Sequence, residues 1–83
     1  MSVRAYVLIQ AEVGMAKSVC KSIAGLEYPG AKVTSADTVT GPYDVIARLE
    51  ADDLDALGSA VTKAVQRSGG VQHTVTCLAV KLE

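Results

Sequence analysis

The chain has 83 residues, 49% of them hydrophobic but none of them Phe or Trp, and its net charge at pH 7 is −1. Such a length gives one domain, spanning residues 1–83, with a small core built from Val, Leu, Ile and Ala. The 8 Lys and Arg stand singly with no basic stripe, so no direct nucleic-acid partner is expected. The apolar stretch 6–9 is far too short to cross a bilayer, and Met1-Ser2-Val3-Arg4 lacks the apolar middle of a signal peptide. A cytoplasmic location without a membrane partner is therefore expected.

Residues 4–10 predict a first strand, with Ala5, Val7 and Ile9 alternating with Tyr6, Leu8 and Gln10. Gly14 then opens a helix that carries Ala16, Val19, Cys20, Ile23 and Ala24 at helical spacing. Gly25 weakens its end and Pro29-Gly30 stops it. Residues 33–40 predict a second strand whose polar interior, Thr34, Ser35 and Asp37, implies an edge position or a bulge. Residues 44–50 predict a third strand. Asp52 or Asp53 caps a second helix with Leu54, Leu57, Val61, Ala64 and Val65 on one face, and Gly69-Gly70 closes it. Residues 71–82 predict the last strand. Cys20 and Cys77 form no CxxC pair and read as reduced, packed thiols.

The order βαββαβ is that of a ferredoxin-like α+β fold, an antiparallel sheet with both helices on one face. The strands do not alternate cleanly. Val7 and Ile9 face one way, but Tyr6 and Leu8 face the other. In the last strand Val75, Cys77 and Ala79 oppose Leu78, Val80 and Leu82. The face without helices is thus apolar, and burying a Leu or Val there is worth roughly 1.5–3 kcal/mol. A second copy packed sheet against sheet is the expected cover.

The most specialised stretch is Val39-Thr40-Gly41-Pro42-Tyr43-Asp44-Val45-Ile46. Gly41 permits positive φ or a close backbone approach, and Pro42 stiffens the turn. Tyr43 and Asp44 then project polar groups from a rigid place, which suits a binding loop better than a catalytic centre. Plainer readings stand beside this one: a hairpin turn at Gly41-Pro42, a packed Tyr43, and an Asp44 that hydrogen-bonds its own turn. Asp52 and Asp53 read as helix caps, and His73 as a rim residue.

With these residues in hand, the chain resembles the effector-binding domain of the Lrp/AsnC family of transcriptional regulators. The resemblance rests on Val39-Thr40-Gly41-Pro42-Tyr43-Asp44-Val45, on Glu50-Ala51-Asp52-Asp53-Leu54 and on Gly70-Val71-Gln72-His73-Thr74-Val75-Thr76. It implies a dimeric α+β barrel, with dimers joined into an octamer or similar ring. It also implies an amino acid or related metabolite bound between dimers near the Gly41–Asp44 loop. No helix-turn-helix precedes Val3, so a stand-alone domain without DNA-binding capacity is expected. Association with a full-length regulator of the family is a further implied partnership. His73, where a basic Arg often stands, and the long stretch 31–37 depart from the family pattern.

A free amino acid needs donors for its carboxylate, acceptors for its ammonium and a shaped recess for its side chain. The expected ligand residues are Gly41, Tyr43, Asp44, Thr74 and Thr76. Backbone amides around Gly41, Tyr43 and Asp44 would meet the carboxylate, and the Asp44 side chain would meet the ammonium. Tyr43 would wall the recess. Thr74 and Thr76 point the same way along a strand and offer hydroxyls, although both also read as ordinary strand threonines. No cofactor or metal is expected with one His and two distant Cys. A small dimeric-barrel enzyme, such as a cofactor-free monooxygenase or isomerase, is the alternative. It lacks a visible acid–base pair, since His73 has no titratable neighbour in sequence. A purely structural oligomerisation unit is a third reading.

Overall fold

The computed structural model describes residues 2–80. Strand β1 (Val3–Ala11) is followed by helix α1 (Ala16–Ala24), a short β2 (Glu27–Tyr28) and β3 (Ala31–Thr38). Then come β4 (Val45–Ala51), helix α2 (Leu54–Ala60) and β5 (Val71–Leu78). One sheet runs in the order β2-β3-β4-β1-β5, and every neighbouring pair is antiparallel. Without β2 this is the ferredoxin-like arrangement expected from the residue pattern.

Two-residue alternation decides which side chains are buried. Ala5, Val7, Ile9 and Ala11 of β1 lie beside Val45, Ala47, Leu49 and Ala51 of β4 on the helix-covered face. Val19 and Ile23 of α1 close over them, with Leu57 of α2 and Val65 beyond it. Val7, Ile9, Val19, Ile23, Val45 and Val65 are wholly inaccessible to solvent. At roughly 1.5–3 kcal/mol for each large aliphatic side chain, this layer is the main favourable term in folding.

Three details differ from the sequence reading. First, Pro29-Gly30 does more than stop a helix: it forms the two-residue turn of a hairpin in which Tyr28 pairs with Ala31. Gly30 supplies the positive φ, +82°, that such a turn needs. A two-residue strand has no alternation to betray it. Consequently β3 starts at Ala31 rather than Val33. Its polar middle does sit on a bulge between Val33 and Ser35, and β2 pairs with it only at Ala31 and Lys32.

Second, the second helix does not stay α. Asp53 caps it, its Oδ1 accepting the Ala56 N–H at 2.8 Å. The helix then passes into a π-helical segment, Val61–Val65. The apolar residues Leu57, Val61 and Val65 repeat every four positions. In a regular α-helix a four-residue step overshoots a full turn by about 40°. The wider π turn rotates the chain less per residue and returns all three to the sheet, where they are buried. Leu54, expected on the same face, is instead 58% exposed in the first turn.

Third, β5 ends at Leu78, although the Ala79 N–H still donates to the Arg4 carbonyl at 2.9 Å. Lys81 and Leu82 of the predicted last strand lie outside the described residues. Leu78 stands opposite Ala5 on the helix side of the sheet, yet it is 47% exposed. The helices pack over β1, β3 and β4 and leave this edge strand open.

The opposite face carries no helix among the described residues. Its register forms rows across the strands: Asp37, Ile46, Leu8, Val75; then Ser35, Arg48, Tyr6, Cys77; then Lys32, Glu50, Arg4. Tyr6 is exposed, while Leu8, Ile46 and Val75 are half-buried side by side. Cys77 is exposed and Cys20 half-buried. The expectation of two packed thiols therefore fails at Cys77, because no element of the described chain lies over that end of β5. No helix among the described residues is long and apolar enough to cross a membrane.

Candidate functional site

The loop between β3 and β4 is closed by the Val39 N–H, which donates to the Asp44 carbonyl at 2.8 Å. Gly41 holds φ +141°, a conformation that L side chains rarely adopt, with open space where a Cβ would stand. Three hydrogen bonds then fasten the loop to the end of β1. The Asp44 N–H donates to the Ile9 carbonyl at 2.9 Å. The Ala11 N–H donates to Asp44 Oδ2 at 2.9 Å. Gln10 Nε2 donates to the Pro42 carbonyl at 3.1 Å.

The chemistry at Asp44 follows from strand geometry. The Ile9 carbonyl and the Ala11 N–H point to the same side of β1, toward β4. The β1–β4 ladder ends at the pair Ile9 and Val45. Beyond it, Asp44 meets the carbonyl with its backbone and the N–H with its side chain. Its carboxylate stands where the next strand carbonyl would have been. The Asp44 side chain therefore does not bond its own turn; it splices the loop onto a strand 33 positions away in sequence. Only Oδ2 is engaged among the described residues. The Asp44 amide, expected as a donor to a ligand, is already committed to Ile9, which leaves Gly41 and Tyr43 as the loop amides for that role. Tyr43 is half-buried in the same loop.

Thr74 and Thr76 do share a face, as their spacing requires. They stand opposite Ile9 and Val7, on the helix side of β5. Thr74 is half-buried and its Oγ1 accepts from Gln66 Nε2 at 3.0 Å; Thr76 is exposed. The register brings Asp44 and Thr74 to one end of the sheet, but β1 runs between them. Two strand spacings put their backbones roughly 10 Å apart. By alternation Asp44 also belongs to the face opposite that of the threonines. One chain thus keeps the Gly41–Asp44 loop and the two threonines apart rather than gathering them in one pocket.

Open depressions on the surface agree with that division. One of about 360 Å³ is lined by Gln66, Val71, Gln72, His73 and Thr74, and it includes none of Gly41, Tyr43 and Asp44. His73, read from the sequence as a rim residue, is one of its lining residues and is exposed. Gln66 is the residue that sequence reasoning missed. Nothing in its local pattern marks it, because its role arises only where the π segment delivers it to β5. A second depression, about 400 Å³, lies at the hairpin end among Tyr28, Lys32, Glu50 and Asp52. Neither encloses a small molecule. Among the described residues no cluster of three or more His, Cys, Asp or Glu is placed to hold a metal ion.

Comparison with known proteins matches this geometry to a family. The family model described as the Lrp/AsnC ligand binding domain matches residues 4–82. No curated protein matches the chain. Among solved structures, TTHA0845 from Thermus thermophilus is 32% identical with a TM-score of 0.82, over 98% of this chain and 96% of that one. AsnC of E. coli is 21% identical with a TM-score of 0.84, over 96% of this chain and 52% of AsnC. The transcriptional regulator NMB0573 of Neisseria meningitidis, solved as a complex with L-Met, is 18% identical with a TM-score of 0.73, over 95% of this chain and 50% of that one. At these last two identities the likeness is one of fold.

Proposed function

Because the chain belongs to the Lrp/AsnC ligand binding domain family, we propose that it is a non-enzymatic regulatory module that binds an amino acid or related metabolite and associates with copies of itself to do so. The observation that carries this reading is the anchored Asp44. Its carboxylate is held against the Ala11 N–H by one oxygen at 2.9 Å, so the other oxygen has a set position without any ligand present. A prepositioned carboxylate at the mouth of a strand suits an α-ammonium group, which is a strong donor with no acceptor of its own. The amides of Gly41 and Tyr43 serve the ligand carboxylate, and the ring of Tyr43 walls the side-chain recess. Fixing these groups in advance lowers the ordering cost of binding.

Association completes the arrangement. The apolar strip of Leu8, Ile46 and Val75 supports packing of two sheets face to face as a dimer, at the usual spacing of about 10 Å. The half-site made by the Gly41–Asp44 loop and that made by Thr74 and Thr76 then come together between chains, in a ring of dimers. The L-Met bound by the Neisseria protein supports an α-amino acid as the ligand class. AsnC, of which this chain spans about half, supports a role beside a full-length regulator.

Titration calorimetry with the twenty common amino acids, on wild type and on Asp44→Asn, tests the reading. Asparagine retains an oxygen for the Ala11 N–H but loses the charge that attracts an ammonium. At least one amino acid binds the wild type, and Asp44→Asn weakens it by about tenfold or more. Absence of heat from every amino acid overturns the ligand class. Equal affinity in both proteins removes Asp44 from the site.

A further inference from the structure

At the loop end of the sheet, one row of side chains lies beyond the strip of Leu8, Ile46 and Val75. Gln10 of β1 is its centre, and its partner across the ladder on β5 is His73. Directly opposed residues share a face. Ile9 and Ala11, on either side of Gln10, are buried on the helix-covered face, so Gln10 and His73 belong to the other face. On the far flank of Gln10, just past the ladder pair Ile9 and Val45, stands Asp44, on the same face by alternation. Gln10 Nε2 ties the row to the loop, donating to the Pro42 carbonyl at 3.1 Å. Along the row stand a carboxylate, a carboxamide and an imidazole.

The two outer groups are kept apart. Two strand spacings separate their backbones by roughly 10 Å, with Gln10 between them. His73 is exposed and β5 is the edge of the sheet, so its ring is open to a ligand. Asp44 has one oxygen on the Ala11 N–H and the other free for the ligand ammonium proposed above. In a molecule the size of glutamate the ammonium and the side-chain carboxylate are about 5 Å apart, and a charge-assisted hydrogen bond at each end adds about 2.8 Å, which spans the row. An uncharged ligand side chain leaves the imidazole unused, and a cationic one is repelled by the imidazolium.

We propose that His73 is a further recognition residue of this site, its imidazolium taking a side-chain carboxylate, and that the ligand is accordingly an acidic amino acid. The inference rests on the amino-acid reading above and adds the class of ligand and a dependence on pH. Histidine is the side chain that changes charge between about pH 5 and 8. Only the protonated ring attracts a second carboxylate, so the preference for an acidic ligand grows as the solution becomes more acid, and binding draws a proton from solvent. The other charged groups at this end are Asp44 across β1, Glu12 in the turn after β1, whose N–H donates to the Gly70 carbonyl, and Asp37 in the neighbouring row. Arg67 follows the π segment on the helix side of the sheet. Among the described residues no strand pairs with β5 on its outer side.

Titration calorimetry of the full chain with L-glutamate, L-aspartate and L-glutamine, at about pH 5.5 and about pH 8, tests the inference, with circular dichroism as the check on folding. Wild type binds one of the acidic ligands about tenfold or more tighter than L-glutamine at the lower pH, and the margin shrinks to about threefold or less at the higher. Near neutrality, runs in buffers of different ionisation enthalpy show proton uptake with the acidic ligand and none with L-glutamine. His73→Gln brings the acidic ligand down to the L-glutamine level at both pH values and abolishes the uptake. His73→Arg keeps the margin at both pH values, without uptake. A purely structural role for His73 would move none of these selectively. Equal affinity for acidic ligands and L-glutamine in the wild type at the lower pH, or a His73→Gln variant that keeps the margin, overturns the assignment. If another amino acid still binds through Asp44, the reading above stands without it; silence from every amino acid overturns both.

Discussion

Replacing Asp44 by alanine should destabilise the fold, independently of any ligand. The Ala11 N–H, part-buried at 2.9 Å from Oδ2, then has no carboxylate to receive it. A hydrogen bond to a charged acceptor contributes about 1.5–3 kcal/mol, and partial access to water reduces the loss to about 1–2 kcal/mol. Asparagine keeps a neutral acceptor in place, and neutral bonds are about half as strong, so Asp44→Asn should lose only about 0.5–1 kcal/mol. For a chain this small the urea dependence is about 1 kcal/mol per molar. The unfolding midpoint should therefore fall by about 1–2 M for alanine and by half that for asparagine. All three proteins must be compared at one protein concentration, since association shifts apparent stability. Hydrogen exchange at the Ala11 amide supplies a local readout, with protection lost in alanine and largely kept in asparagine. If alanine and asparagine shift the midpoint equally, or alanine shifts it by less than about 0.3 kcal/mol, the carboxylate is not what joins the loop to β1.

Gly30→Ala should destabilise by about 1–2 kcal/mol. The position holds φ +82°, and a Cβ there would lie 3.0 Å from the Ala56 Cβ; thermal melting checks this, and an unchanged melting temperature would contradict the turn. Asp53→Ala removes the acceptor for the Ala56 N–H and should lose about 1 kcal/mol, with Asp53→Ser retaining most of it; urea titration of both variants reads the difference. Ile23→Ala empties a site that is 0% exposed beneath α1 and should lose about 2–5 kcal/mol, whereas Leu54→Ala, at a position 58% exposed, should change stability by less than about 0.5 kcal/mol. A larger loss at Leu54 than at Ile23 would mean that α2 is turned the other way.

How much was legible in advance depended on the range of the interaction. Alternation along Ala5, Val7 and Ile9 marked β1 and its buried side, because a strand's side chains must point up and down in turn whatever lies beyond them. Asp53 before an apolar helix announced a cap for a similar reason, since the orphan amides it satisfies lie within the next turn. The polar run Thr34, Ser35 and Asp37 signalled the bulge and the edge of β3. By contrast, the hairpin at Pro29-Gly30 is too short to leave a pattern. The five expected ligand residues could be named from the sequence, but not their separation across β1.

By itself, then, the order of amino acids determined the four longer strands, the two helices, the buried face and the helix cap, all of which follow from steric rules acting within a few residues. Only the tertiary structure decided which remote groups meet. The carboxylate of Asp44 reaches Ala11 and Gln66 reaches Thr74, because strand register brings together positions that no local rule connects. The π segment belongs to the same class: it exists so that residues four apart can return to one sheet, and the sheet, not the helix, sets that demand.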